Sequence, residues 1–173
     1  MSRIAELKDA LPQLKFLLIG DGSEMQDLRD LAKALEITDR VIFTGWLPNE
    51  TELNNALASA DIGLVMRIGQ ETDHFHMTDT LNHEMACGKP ILAVHLEGIA
   101  EFIDDKTNGH LFSPDNPEAF CEKLVSLVRS PEKRQQYGAK ALEYSQSICH
   151  YERCAAQTLT PIKTVMDLPV YDD

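Results

Sequence analysis

The sequence predicts an α/β fold: a Rossmann-like, doubly wound, mostly parallel sheet of about five strands. Two observations predict it. Short apolar runs alternate along the chain with amphipathic helical stretches, the pattern of βα units. The runs Leu17-Leu18-Ile19 and Ile91-Leu92-Ala93-Val94 have no polar face, as expected of strands buried on both sides of a parallel sheet.

The elements follow in order. Residues 2–11 read as a helix with Ile4, Leu7 and Leu11 on one face, stopped near Pro12. Residues 14–19 form the first strand and run into Gly20-Asp21-Gly22-Ser23. Ser23 and Gln26 have the spacing of a capping box, opening a helix whose buried stripe is Met25, Leu28, Leu31, Ala32 and Leu35. Residues 41–45 are the second strand, left through Trp46-Leu47-Pro48. Asn49 and Glu52 form a second cap pair before a helix containing Leu53, Ala56 and Leu57. Residues 61–66 are the third strand, followed by a polar stretch from Arg67 to Thr80 that is too long for a tight turn. A helix from Thr80 to Cys87 ends at Gly88, placed as a left-handed cap, with Pro90 barring continuation. Residues 90–94 are the fourth strand, a short helix covers 99–103, and 110–112 are the fifth strand. Asn116-Pro117 and Ser130-Pro131 each place proline in the first turn of a helix. The first of these helices turns Phe120, Leu124, Leu127 and Val128 inward; the second runs to about Ser147. From Thr158 the pattern weakens, so the domain is expected over residues 1–157 with a tail over 158–173.

Composition limits the function. Lys plus Arg number 16 against 28 Asp plus Glu, a net charge of −12 over 173 residues. Such a chain lacks the basic face that nucleic-acid phosphates require. No apolar run reaches the roughly 18–20 residues of a transmembrane helix, and residues 1–8 have no apolar signal core. The four cysteines, at 87, 121, 149 and 154, form no C-x-x-C pair, and free thiols in a reducing cytoplasm are expected.

Two segments carry chemistry. Gly20-Asp21-Gly22-Ser23 joins a strand to a helix, where small residues let backbone amides approach a phosphate. It has neither the third glycine of a dinucleotide fingerprint nor a P-loop lysine, so it reads equally as a ligand-free turn. The stretch from Gln70 to Gly88 collects Glu71, Asp73, His74, His76, Asp79, His83 and Glu84. In a doubly wound sheet such loops lie at the carboxyl ends of strands, where ligands bind. Thr78, Asp79 and Thr80 put a helix start there, suited to a diphosphate. The histidines show no H-E-x-x-H or comparable ligand spacing, and neither metal nor cofactor is expected. Trp46 reads either as a pocket wall or as a packing residue, and Glu101 either as a partner of a ligand hydroxyl or as a helix-start acid.

Taken in order, five segments resemble the C-terminal, donor-nucleotide-binding half of GT-B glycosyltransferases of the retaining family 4 or "group 1". They are residues 17–22, 41–45, 60–64, 84–93 (Glu-Met-Ala-Cys-Gly-Lys-Pro-Ile-Leu-Ala) and 101–112. Ser130-Pro131-Glu132-Lys133-Arg134 closes the match, which covers about residues 13–148. The resemblance implies a nucleotide-sugar donor site in which Gly20 and Gly22 face an interdomain cleft and Trp46 and Leu47 approach the base. Thr78 and Thr80 would head the helix that holds the diphosphate. It also implies an acceptor domain, supplied by a partner chain where this chain lacks one; a homodimer is the other partner expected.

The sequence departs from the family pattern twice. Aligning Met85-Ala86-Cys87-Gly88 puts the second of the family's two glutamates on His83, with Glu84 one place late and the first on Phe75. Glu84 or His83 would then reach a ribose hydroxyl, and Asp73, His76 or Asp79 would replace the first acid, with His76 and Asp79 as the catalytic candidates. The strand, glycine loop and Arg…Lys pair that open a family C-terminal half are also not in this sequence. That strand is the central one of the family sheet, so residues 14–19 and 61–66 are expected either to pair directly or to keep open edges that recruit another chain.

Overall fold

The computed structural model describes residues 1–66, 78–148 and 151–166. Five parallel strands lie in chain order, β1 (Phe16–Ile19), β2 (Val41–Gly45), β3 (Gly63–Val65), β4 (Ile91–Val94) and β5 (Gly109–Phe112). They form two sheets among the described residues: β1 pairs with β2, and β3–β4–β5 form the second in that order. The registers are parallel throughout, Phe16 opposite Val41, Gly63 opposite Ile91, and Ile91 opposite Gly109. β1 and β3 do not pair directly: among the described residues each pairs on one side only.

Eight α-helices are described: α1 (Ser2–Glu6), α2 (Met25–Ala34), α3 (Glu50–Ser59), α4 (Asp79–Ala86), α5 (Glu97–Ala100), α6 (Pro117–Arg129), α7 (Pro131–Ile148) and α8 (Tyr151–Met166). The cap logic holds at four of them, one being α7, where the Ser130 hydroxyl accepts the Lys133 amide at 3.2 Å. Asn49, Thr78 and Asn116 accept hydrogen bonds from the amides of Glu52, Leu81 and Ala119. Gly88 has φ +65°, and its amide closes on the Met85 carbonyl at 2.9 Å, ending α4 as a left-handed cap. The Ser23 capping box does not form. Glu24 is the N-cap of α2 without a side-chain bond, and the Ser23 hydroxyl turns to the Glu24 carboxylate instead. α1 stops at Glu6, and Leu7 to Leu11 continue as turns that still bury Leu11. Of the stretch 158–173, expected as a weakly patterned tail, residues 158–166 continue α8, and 167–173 lie outside the described residues.

The core divides as the sheets do. The larger cluster packs β4, in which every residue is buried, against Leu81 and Met85 of α4, Leu124 and Leu127 of α6, and Ala141 of α7. A smaller one gathers Ala32, Ile37 and Val41 around β1 and β2. Ile4 of α1 touches both. The loop before β5 is fixed by Asn108, 3% exposed, which accepts from the Asp104 amide and donates to the Phe102 carbonyl, both at 2.9 Å. Asp105 then receives His110 Nδ1, the Leu111 amide and the Lys123 ammonium. Burial raises the Asp105 carboxyl, but these donors outweigh it and hold it below the usual range; burial likewise lowers His110, opposed by Asp105. Cys87, Cys121 and Cys154 are free. No described helix is long and apolar enough to cross a membrane.

Candidate functional site at the carboxyl edge

Parallel strands send all their following loops to one edge. β1 ends in Gly20 to Ser23 and β2 in Trp46 and Leu47. α4 reaches β4 through the short Gly88–Pro90 turn, so its last turn lies at the amino edge and its first, with Thr78, Asp79 and Thr80, at the carboxyl edge. The junctions near Ser23 and Thr80 thus each lie at the carboxyl end of their own sheet.

The first junction is shaped by the backbone. The Gly20 amide donates to the Gly45 carbonyl at 3.1 Å, and the two residues, at φ +124° and +69°, carry β1 and β2 into their loops together. An added Cβ at Gly20 meets nothing, so the positive φ, rather than space, is what a side chain would strain there. Gly22 is exposed, its amide turned to the Asp21 carboxylate at 2.8 Å. Trp46 is 77% exposed, which argues against the packing reading, and Leu47 is half-buried. At the second junction the Thr78 side chain caps α4, while Asp79 and Thr80 are exposed in its first turn. His76 lies outside the described residues, as do Asp73, His74 and Phe75.

His83 and Glu84 separate as a step of about 100° requires. His83 is exposed. Glu84 joins Leu81 and Met85 on the buried face of α4 and is 8% exposed. Its Oε1 accepts the Leu64 amide at 3.1 Å; its Oε2 is buried with no partner, the one such side-chain atom among the described residues. Burial pushes this carboxyl up to about 7 against the opposing pull of the Leu64 amide. The acid thus stands at the edge of β3 rather than on the exposed face of α4. Sequence reasoning missed this orientation, although the spacing Leu81, Glu84, Met85 is that of one helix face. Glu101 is exposed just beyond α5, its carbonyl accepting the Tyr144 hydroxyl at 3.0 Å, beside a cavity of about 470 Å³. No group of three or more potential metal ligands occurs among the described residues.

This arrangement of parallel strands and helices is that of the Rossmann-like domains of GT-B glycosyltransferases. The pneumococcal O-GlcNAc transferase GtfA, solved with UDP and GlcNAc, superposes with a TM-score of 0.80 at 18% identity, over 96% of this chain and 32% of that one. The C-terminal domain of a group 1 glycosyl transferase from Francisella tularensis superposes at 0.70 with 17% identity, over 87% of this chain and 77% of that one. Anabaena HepE, solved with UDP, gives 0.71 at 20% identity, over 92% and 43%. Residues 1–130 match the family described as Glycosyl transferases group 1, and the chain belongs to that family. N-acetyl-alpha-D-glucosaminyl L-malate synthase of Bacillus anthracis is 33% identical over 129 residues, 75% of this chain and 32% of the relative. The sulfoquinovosyl transferase of Arabidopsis thaliana is 30% identical over 158 residues, 90% of this chain and 28% of the relative. The chain thus spans about a third of the length of these curated relatives.

Proposed function

We propose that the chain binds a nucleotide-diphosphate sugar at the carboxyl edge and presents it for glycosyl transfer to an acceptor held by a partner chain. What supports this reading is the place of two junctions, Gly20–Ser23 after β1 and the capped start of α4, each at the carboxyl end of its own parallel sheet in a chain of the group 1 glycosyltransferase family. Two phosphates need clustered donors rather than a nucleophile. The Asp79 and Thr80 amides at the start of α4 and the Thr80 hydroxyl would supply part of that set, Trp46 would pack on the base, and Leu47 would back it. Asp79 occupies a position that the helix dipole favours for a carboxylate. Its charge would repel a diphosphate, so in this reading it acts beside the sugar. Transfer is then mainly positioning and stabilisation of the leaving group. UDP comes first as the donor base because solved neighbours hold it.

Calorimetric titration with UDP-, GDP- and ADP-sugars tests the reading. The expected result is UDP binding with a Kd of about 10–100 µM, weakened about fivefold in Thr80→Ala by loss of one hydrogen bond. Absence of binding to all three at about 1 mM, with the fold intact, would overturn it. A second reading, a non-catalytic module that binds a nucleotide sugar weakly or serves assembly, is favoured by one observation. The Glu84 carboxylate is turned against β3, away from the exposed face of α4. Measurable UDP-sugar binding with no hydrolysis or transfer in the presence of partner and acceptor is the result that reading expects.

A further inference from the structure

We propose that Thr44 is a positioning residue of the donor site: its hydroxyl, together with the Gly20 amide, fixes the peptide that carries Trp46, so that the indole is held ready for the nucleobase. The inference rests on the donor reading given above and adds to it the residue that presets the base wall.

β2 carries one residue more than β1 at its carboxyl end. Leu18 stands opposite Phe43 and Ile19 opposite Gly45, so Thr44 has no partner across the ladder and forms a bulge. Bulges of this kind bend a strand and re-aim the side chains that follow. The Thr44 hydroxyl spans the irregularity, 2.8 Å from the Gly45 carbonyl oxygen and 3.4 Å from the Leu18 carbonyl oxygen on β1. It has one proton to donate, and the shorter contact takes it. The Gly45 oxygen therefore receives two donors, this hydroxyl and the Gly20 amide at 3.1 Å. One donor comes from each strand, so the clamp also joins the Gly20–Ser23 turn to the loop after β2.

The clamped oxygen belongs to the peptide between Gly45 and Trp46. A trans peptide is planar, so holding its oxygen sets the direction in which the chain enters Trp46. Gly45, at φ +69°, would otherwise be the loosest joint of the segment, because a glycine reaches other conformations at little cost. Downstream little freedom remains. Pro48 fixes its own φ, and Asn49 caps α3 by accepting the Glu52 amide at 2.9 Å. Upstream, the Arg29 guanidinium of α2 lies over the Phe43 ring, 4.4 Å from its centre, and holds β2 just before the bulge. Trp46 is nonetheless 77% exposed, so its own packing does little to fix it. An exposed side chain on a fixed backbone loses less freedom on binding than one on a mobile loop, and the difference appears as affinity.

The full chain carries a single tryptophan, so its fluorescence reports on Trp46 alone. Thr44→Val removes the hydroxyl at nearly constant volume, and Thr44→Ser keeps it. Without nucleotide, Thr44→Val should lower the steady-state anisotropy of Trp46, and Thr44→Ser should restore it. Calorimetry with UDP should show affinity weakened about two- to tenfold in Thr44→Val and restored in Thr44→Ser. In a Trp46→Ala background, which itself should bind UDP about fivefold more weakly or worse, Thr44→Val should have no further effect. Equal weakening in both backgrounds would give Thr44 a general structural role and overturn the proposal, as would an unchanged Trp46 anisotropy in Thr44→Val. A native chain that binds no UDP would overturn the donor reading and this role with it. A native chain that binds UDP no more tightly than Thr44→Val would overturn this role alone. Should Thr44→Val fail to fold, hydrogen exchange in the native chain decides. A Gly20 amide slowed about tenfold or more relative to an unbonded one bears out the clamp, and exchange at the unbonded rate overturns it.

Discussion

Replacing Glu84 by Gln is expected to remove a fall in stability that the native chain shows between about pH 5 and pH 8, leaving the variant more stable by about 2–3 kcal/mol at pH 8. The cause is burial: the carboxyl is 8% exposed, one oxygen has a single backbone donor and the other has none. Desolvation raises its pKa from 4.5 to about 7, with the Leu64 amide pulling it back. The unfolded chain releases this proton near pH 4.5, whereas the folded chain keeps it until about pH 7. In that interval the folded state holds the extra proton. The contribution is complete below the unfolded value, falls as pH rises through the folded one, and is lost above it. At about 1.4 kcal/mol per pKa unit the full effect is about 3 kcal/mol. His110, lowered by burial, contributes a slope of opposite sign below its unfolded value of 6.5. That contribution is the same in both proteins, so the difference between them isolates residue 84. Urea midpoints at unit pH steps from 5 to 8 measure it. A pH-independent difference between the two proteins would mean that Glu84 is ionised and solvated in the folded state.

The features read correctly from sequence are those decided within about four residues. Asn49 with Glu52 and Asn116 with Pro117 cap helices as their spacing implies, and Gly88 ends α4 because its left-handed backbone turns the Lys89 amide back onto the Glu84 carbonyl. Ser23 has the same local signature, yet the helix begins one residue later than the cap requires and the hydroxyl pairs with Glu24. Periodicity reported burial rather than hydrogen bonding at α1. Leu11 is buried as its spacing predicts, but by a chain of turns after the helix has ended at Glu6. At α8 the reverse holds: the weak apolar pattern hid a helix, since Cys154 to Ile162 are exposed and bury no stripe.

The site was legible to the extent that topology fixes it. Alternating strands and helices put Gly20, Gly22, Trp46 and Leu47 at the carboxyl end of one sheet and Thr78 and Thr80 at that of the other without any contact having to be known. The inward turn of Glu84 follows from its place between Leu81 and Met85, a face set by the packing of α4 on β3. The split of the five strands into two sheets is a tertiary property. No residue of β1 or β3 carries a local mark of an unfilled neighbour, because both edges are built from the same apolar residues as a filled one.

Gly138→Ala is expected to destabilise the chain by about 2–3 kcal/mol, although alanine favours a helix interior over glycine by about 1 kcal/mol. The sign is reversed by packing. Gly138 lies in α7 where that helix crosses the turn after α4, and an added Cβ would overlap the Gly88 carbonyl oxygen while standing 3.2 Å from the Gly88 carbonyl carbon and 3.5 Å from Pro90 Cδ. Backbone meets backbone, so no side chain can swing away, and overpacking of this kind costs about 1–3 kcal/mol or more. The neighbours leave little room elsewhere, since Tyr137 and Ala141 are buried on the same helix and β4 is buried throughout. Denaturation midpoints decide the sign; a variant at least as stable as the native chain would show that α7 moves freely over the turn. The route of relaxation bears on the proposed donor site. Gly88 fixes one end of α4 and Thr78 caps the other. If the clash is absorbed by the turn, the rigid helix carries the displacement to its first-turn amides and UDP affinity falls in the folded variant. If it is absorbed by α7, stability falls and affinity is unchanged.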